Sequence, residues 1–290
     1  MLFQINVIKM QESRCTTVVI RIVNIMTVML FALDIHSQAP CPQYLNKYDV
    51  IDMADYVVTY KASFIRDTQK KVPEQDIIIL EIGKNFSKSY SKILFAADST
   101  ATAWRKKGSA VLRMPKGNIP LEDVYKNFTT KNSKIIFRSM LQGPIYQYEE
   151  SSNLMNWTLQ PEKKEILSYS CQRATTSFRG REYEAWFTND IPLPNGPWKF
   201  GGLPGLILFL KDMQSNYVFE CIGLEKPKVE RPIKLWSWKY ENITRENLIR
   251  VKKRIHLDPY NYCISIGQVM GGDIEAKKKQ IYPYNPIELE

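Results

Sequence analysis

Three pairs of short apolar runs, each joined by only two or three turn-forming residues, set the strongest limit on what this chain can fold into. Residues 133–140 and 144–150 flank Leu-Gln-Gly, residues 165–178 and 181–188 flank Arg179-Gly180, and residues 206–212 and 216–225 flank Met213-Gln214-Ser215. A link that short can turn a strand back onto its neighbour but cannot hold a crossover, so each pair reads as an antiparallel hairpin. Further strand-like runs lie at 54–64, 76–82, 87–98 and 233–240, and a short one at 156–160 closes at Pro161. A 12% aromatic content with 16 Tyr suits strands. About ten strands are more than one flat sheet holds comfortably, so the sheet is expected to curl. Two stretches have helical spacing. Leu121, Val124, Tyr125 and Phe128 share a face over 120–130, and Leu248, Val251 and Ile255 do so over 244–255, where Thr244 is placed to cap. The expected fold is mainly β: a single domain built on a curved antiparallel sheet (half-open barrel or sandwich) with two short helices.

The N-terminal 39 residues stand apart from this pattern. Arg21, an apolar run from Ile25 to Leu33 and small residues at Ser37 and Ala39 have the layout of a secretory signal peptide, possibly with an over-long start before it. The apolar run is shorter than the roughly 20 residues a spanning helix needs. The division is therefore residues 1–39 as signal and 40–290 as the β domain. Export fits the cysteines. Cys41, Cys171, Cys221 and Cys263 remain after cleavage, an even number that allows up to two disulfides. Pro40 before Cys41 is not the small residue a lipoprotein site requires.

Charge narrows the partners little. Residues 1–39 carry three of the 40 basic and two of the 30 acidic side chains, so the remainder stands at +9. Apart from 252–254 and 277–279 the charge is scattered, as on a solvated surface, and export makes nucleic acid an unsuitable partner. A peripheral contact with anionic headgroups is compatible with it.

Several chemistries are excluded. One histidine, His256, remains after residue 39, and its position just past a basic helix reads as a surface site. No G-x-S-x-G surrounds any serine and no C-x-x-C is present. Gly83-Lys84 follows an apolar strand, but the upstream glycine and the following Ser or Thr of a phosphate loop are missing. Carboxylate chemistry is left, with Asp49, Asp52, Asp55, Glu149, Glu150, Glu182, Glu184 and Asp190 available. Glu182 and Glu184 share a strand face, most simply a polar outer one opposite Tyr183 and Ala185.

The segment 196–212, "GPWKFGGLPGLILFLKD", poses the choice between a phosphate cradle and a hard turn. No helix follows to bind an anion. Pro204-Gly205 suits a type II turn, Gly201 and Gly202 allow a bulge or close approach, and the unbroken apolar run from Leu206 to Leu210 suits a strand covered on both faces.

The same segment carries a family resemblance. Cys171-Gln172-Arg173-Ala174, then Gly180-Arg181, then Ala185-Trp186-Phe187-Thr188, Ile191-Pro192, Gly196-Pro197, Lys199-Phe200 and finally Gly202-Leu203-Pro204-Gly205-Leu206-Ile207 resemble the GLPGLI family of exported proteins from Bacteroidetes-type bacteria. "YVFEC" at 217–221 and "YNPIELE" at 284–290 also look like it. Arg173 replaces the family's lysine. The resemblance implies export and a mainly β fold, and it implies no catalytic residue, cofactor or metal. Cys171–Cys221 is the preferred disulfide pair, since both lie in the part that resembles the family.

The expected function is that of a periplasmic or surface-exposed envelope protein, most simply a non-enzymatic binding or scaffolding protein for an envelope protein, a peptide or a lipid-like ligand. Trp186, Trp198, Trp236 and Trp238 are candidate lining residues. The alternatives are an accessory component of an outer-membrane transport system and a carboxylate-dependent hydrolase. Ligand, oligomeric state and disulfide connectivity stay open at this level.

Overall fold

The hairpins zip together in register. In a computed structural model that describes residues 39–115, 120–152, 154–268 and 273–289, the strands are β1 (Tyr48–Met53), β2 (Tyr56–Phe64), β3 (Glu74–Ile82), β4 (Phe86–Ser91), β5 (Glu122–Asn127), β6 (Asn132–Arg138) and β7 (Ile145–Ser151). They continue with β8 (Thr158–Ile166), β9 (Tyr169–Phe178), β10 (Arg181–Thr188), β11 (Leu206–Asp212), β12 (Tyr217–Glu225), β13 (Pro232–Trp236) and β14 (Tyr240–Asn242). The helices are α1 (Lys92–Lys106), α2 (Arg245–Leu257), α3 (Pro259–Ser265) and α4 (Ile274–Lys278). The expected signal peptide lies outside the described residues.

One sheet has the order β14-β7-β6-β5-β4-β3-β2-β12-β11-β10-β9-β8, and β1 and β13 form a separate ribbon. Every pairing is antiparallel except that of β14 with β7. The sheet does not close, because β14 and β8 are unpaired on their outer edges. It is strongly curved. Arg179, in the turn after β9, reaches Glu150 on β7 at 3.3 Å. Nine strand spacings separate β7 from β9, about 43 Å in a flat sheet at ~4.8 Å each. The expected curved, mainly β fold is therefore present.

The curl gives the sheet an inside, filled by one continuous apolar cluster that includes Tyr60, Leu80, Ile135, Tyr183, Phe187 and Phe200. Tyr60 spends its hydroxyl inside that cluster by donating to the Ile207 carbonyl at 2.7 Å, as a buried polar group must. Over β3–β6 the outside is covered too. Phe95 of α1 packs on Val57, Ile79 and Tyr90, and Leu235 and Trp238 pack on Tyr125, Ile136 and Ile145.

The three expected hairpins are all present. Arg179 and Gly180 both have positive φ, 49° and 77°, the requirement of a two-residue turn that follows strand twist. A fourth hairpin, β8–β9, turns the same way at Leu167 and Ser168 (φ 49° and 64°). The strand expected to stop at Pro161 runs through it to Ile166. β8 is an edge strand with a register shift between Leu159 and Lys163, so a residue with no N–H breaks no ladder there. Glu182 is exposed and Tyr183 and Ala185 are buried, as expected of an outward carboxylate.

Four expectations are corrected. Residues 120–130 form β5 and not a helix. The run 87–98 is strand only to Ser91, whose side chain accepts from the Leu94 amide and starts α1. The run 233–240 is interrupted, since β13 ends at Trp236 and β14 begins at Tyr240. Gly205 does not adopt positive φ, so the Pro204-Gly205 turn is not type II. Its glycine is required by close approach, because a Cβ there would overlap the Thr188 carbonyl. Gly202 supplies the left-handed residue instead, at φ 85°. The helix at 244–255 is present as α2, capped by Thr244.

Candidate functional site: a cleft under the tail segment

Register puts Ser87 and Ser89 of β4 on the same inner stripe as Glu122, Val124 and Lys126 of β5. The glycine-rich loop before β11 docks on that stripe. The Asn195 amide donates to the Ser87 hydroxyl at 2.9 Å, the Trp198 backbone N–H to Ser89 Oγ at 3.0 Å, and Trp198 Nε1 to Glu122 Oε2 at 2.8 Å. Lys126 enters the loop from below and donates to Asn195 Oδ1 at 2.8 Å and to the Phe200 carbonyl at 2.5 Å. Burial pushes the Lys126 pKa down to about 7. The loop therefore cradles this chain's own lysine amine, which near pH 7 divides between protonated and neutral forms, seated on carbonyls. That is the opposite polarity from a phosphate site.

Lys199, from the same loop, is the centre of a buried ionic cluster. Its Nζ lies 2.7 Å from Glu150 Oε1, Glu288 Oε1 and the Tyr148 hydroxyl. Arg245 approaches Glu288 at 3.6 Å, and Arg179 bridges Glu150 and Glu288 at 3.3 and 4.0 Å. Glu288 belongs to the extended segment that follows α4, and this segment crosses the open side of the sheet. Arg181 and the inward-facing tyrosines hold it down. Arg181 donates to the Pro286 carbonyl at 2.7 Å while paired with Asp212 at 3.0 Å. Tyr217 donates to the Asn285 carbonyl at 2.5 Å and Tyr183 to the Ile287 carbonyl at 2.7 Å. Two separate parts of the GLPGLI resemblance, Gly180-Arg181 and "YNPIELE", thus meet in space.

Between this tail segment, α2 and the sheet lies a cavity of about 140 Å³. Phe64, Ile78, Phe137, Phe219, Ile249 and Ile255 give it apolar walls, and Trp198 forms part of one side. Arg66, Glu122, Lys252 and Glu288 are the charged groups at its boundary, with His256, Ser89 and Asn285 beside them. Burial works to raise the Glu122 pKa, but Lys252 and Lys199 beside it and hydrogen bonds from Lys252 and Trp198 prevail and hold it at about 2. His256 is half-buried in the last turn of α2, its ring against Tyr284, in place of the surface site expected. Burial, with Arg66 and Lys252 nearby, lowers its pKa to about 4, so it is neutral at physiological pH. Such a cleft can hold an apolar body against a charged but internally neutralised rim.

Of the four candidate tryptophans, Trp198 alone lines the cleft. Trp186 is buried in the apolar cluster away from the cleft, with Lys164 over its ring at 4.2 Å from the centroid. Trp236 and Trp238 stack on each other beside β13. Of the candidate carboxylates, Glu150 enters the ionic cluster. Asp52 accepts the Asn85 and Phe86 amides, Glu149 pairs with Lys134, and Glu184 pairs with Arg173. Asp49, Asp55, Glu182 and Asp190 are exposed. The four cysteines are unpaired in this structure, where burial pushes Cys171 and Cys221 up to about 11. Gly202, Leu203, Pro204, Gly205, Leu206 and Ile207 shape the loop and its entry into β11 without touching the cavity. Sequence reasoning missed Glu122, Lys252 and Glu288. The one local signal for such a cluster is Lys199, a lysine set among Trp, Phe and Gly, which needs a buried acid.

Among the described residues, no group of His, Cys, Asp and Glu could hold a metal ion, and no helix is long and apolar enough to cross a membrane. Two solved structures of PNGF-II, in space groups P21 and C2, are similar to this chain at 20% and 19% identity. The matches cover 69% and 67% of this chain and 32% of each PNGF-II chain, with a TM-score of 0.46 for both. The chain thus spans about a third of the length of the solved structures it matches. No curated protein matches it. Residues 85–244, more than half of the 290, match the description "N-glycanase peptide, N-terminal domain". They include β4, β5, the docked loop and the hairpins that carry Arg181 and Tyr217, and the chain belongs to that family.

Proposed function

We propose that this chain is an exported, non-enzymatic binding protein of the cell envelope that holds an amphipathic ligand in the cleft under its tail segment. The observation that carries this reading is the cavity itself: apolar walls, with a charged rim in which each acid already has a basic partner. Pockets of this kind bind through their apolar surface and orient through a few polar groups. The resemblance to the exported GLPGLI family supports the location and the signal peptide. A Cys171–Cys221 disulfide belongs to the same proposal, and non-reducing mass mapping of the exported protein tests it. Titration with a long-chain acyl amphiphile, followed through Trp198 fluorescence, tests the binding. Saturable quenching is expected, and a linear, non-saturating response refutes it.

The family description names an N-glycanase, and this favours a second reading as part of a carboxylate-dependent glycan hydrolase. A general acid must hold its proton near working pH, and Glu122 at about 2 does not. Asp76 is raised to about 6, mainly by burial, but it is engaged with Ser91 at the start of α1. Glycan release from an N-glycopeptide that is abolished by Glu122→Gln would establish the second reading over the first.

A further inference from the structure

We infer that the cleft recognises an extended segment of another protein, one that presents a large apolar side chain immediately before a carboxylate, and that residues 285–288 occupy its seat in cis. This rests on the reading of the cleft as a ligand site. Three observations carry it. First, the tail segment is held as a bound peptide is held. Arg181, Tyr183 and Tyr217 donate to the carbonyls of Pro286, Ile287 and Asn285 in turn. Contacts to main-chain carbonyls fix a path and not a sequence, so another extended segment can use the same donors.

Second, one side chain is read by charge. The Glu288 carboxylate faces Lys199, Arg245 and Arg179. Glu150 offsets one of these three cations, so the seat without Glu288 is still net positive and complements an acid of any origin. Third, the cis occupant fills its seat incompletely. Pro283 to Glu288 all line the cavity of about 140 Å³, which stays open beside them. The chain's own segment leaves apolar wall uncovered there, and a larger side chain from a ligand would take that surface out of water. The preceding turn does little to keep the tail segment down, since α4 buries none of its residues and Ile281 is 65% exposed. A partner segment with Phe in place of Ile287 and an acid after it therefore fits better than the chain's own.

Full-length protein carrying Glu288→Lys, which turns the cis occupant against its cationic seat, tests this by fluorescence anisotropy with a labelled Tyr-Asn-Pro-Ile-Glu-Leu peptide. Saturable binding about tenfold tighter than to the unaltered chain is expected, because the cis segment no longer competes. The Glu-to-Gln peptide should lose about tenfold, and the Ile-to-Phe peptide should gain about fivefold, as expected for filling apolar space. Asn285→Ala, which removes the side-chain anchor to Arg181 and the Ile65 carbonyl, serves as the second variant if near-ultraviolet circular dichroism shows that Glu288→Lys is not folded. The inference is overturned if neither folded variant binds the peptide, if the Glu and Gln peptides bind equally, or if the unaltered chain exchanges tail segments and runs as a concentration-dependent dimer. Palmitate is the separating arm. Saturation by palmitate without peptide binding sinks this inference and leaves the proposed function standing, whereas binding of neither sinks both.

Discussion

Strand β11 and the pair β4–β5 are both buried on two faces, and they are held by opposite means. From Leu206 to Leu210, β11 presents apolar residues, four of them buried and Phe209 half-buried, and these pack on other apolar side chains. β4 and β5 bury Ser87, Lys88, Ser89, Ser91, Glu122, Asp123 and Lys126. On their inner stripe the loop around Trp198 and the side chain of Lys252 satisfy these groups. On their outer face Lys88 donates to the Lys234 carbonyl at 3.1 Å with the rings of Tyr90, Tyr125 and Trp236 about it. The dry strand needs only neighbours of suitable size. The polar pair needs particular atoms from far along the chain. Trp198 is 76 residues from Glu122, Lys252 is 130 from Glu122, and Glu288 is 89 from Lys199. The polar half therefore completes only when α2 and the tail segment are in place.

The sharpest way to break this comparison is to remove one charge from the polar half. Lys199→Met takes from Glu150 and Glu288 their nearest and most buried shared cation and leaves them only the longer contacts to Arg179 and Arg245, a change expected to cost about 3 kcal/mol. Urea unfolding should show a loss of stability of that order. A cost below about 1 kcal/mol, no more than a surface pair is worth, would mean the cluster is not closed to water. Leu210→Ala in the dry half removes a fully buried side chain and should cost about 2–5 kcal/mol, according to how far the site collapses. The two variants part under changed conditions, since the cost of Leu210→Ala should not depend on pH.

Acid separates the halves next. His256 has its folded pKa lowered from 6.5 to about 4. Its contribution is complete above pH 6.5 and is lost as pH falls from there towards 4, because the unfolded chain takes up the proton first. Integrated over that window, this is on the order of 3 kcal/mol. Glu122, lowered from 4.5 to about 2, adds a second loss that begins below pH 4.5 and runs down to about 2. Asp76, raised from 3.8 to about 6, works the other way and adds stability as pH falls from about 6 towards 3.8. Stability measured from pH 7 to 4 should therefore change little in the native chain, and His256→Gln should turn that flat profile into a rise on acidification. An unchanged profile in the variant would place the acid-sensitive group elsewhere.

The same division explains what could be read in the sequence. Leu206 to Leu210 was legible as a doubly covered strand because its signal is local, and so were the Arg179-Gly180 turn and α2 with its Thr244 cap. β5 read as a helix because Leu121, Val124, Tyr125 and Phe128 happen to fall at helical spacing, while Glu122, Asp123 and Lys126 look like solvent-facing residues. Their partners are too distant in sequence to be inferred. α1 was missed for a related reason, since Ser91 both ends β4 and caps the helix, and no acid marks the first turn. The need for a glycine at 205 was visible, but its cause, the Thr188 carbonyl, lies on another strand. Arg181 and "YNPIELE" were visible as a likeness, and only the fold shows one holding the other.

The smallest expected effect is the control that gives the largest one its meaning. Lys134 and Glu149 form the same kind of pair as Lys199 and Glu288, across β6 and β7 at 3.3 Å, but they stand in solvent with side-chain exposures of 30% and 56%. Water screens that attraction, and the two long side chains lose rotamer freedom in making it. Glu149→Ala should therefore change stability by no more than about 0.5 kcal/mol. In 1 M salt, where the screening length is about 3 Å, even that difference should vanish. Lys199 and Glu288 are almost inaccessible, at 3% and 4%, and ions cannot reach between them, so the cost of Lys199→Met should persist in the same salt. If both variants lost their effect in salt together, the buried cluster would have to be as wet as the surface pair. The contrast between a dry strand and a polar pair held by sealed-in charges would then be wrong.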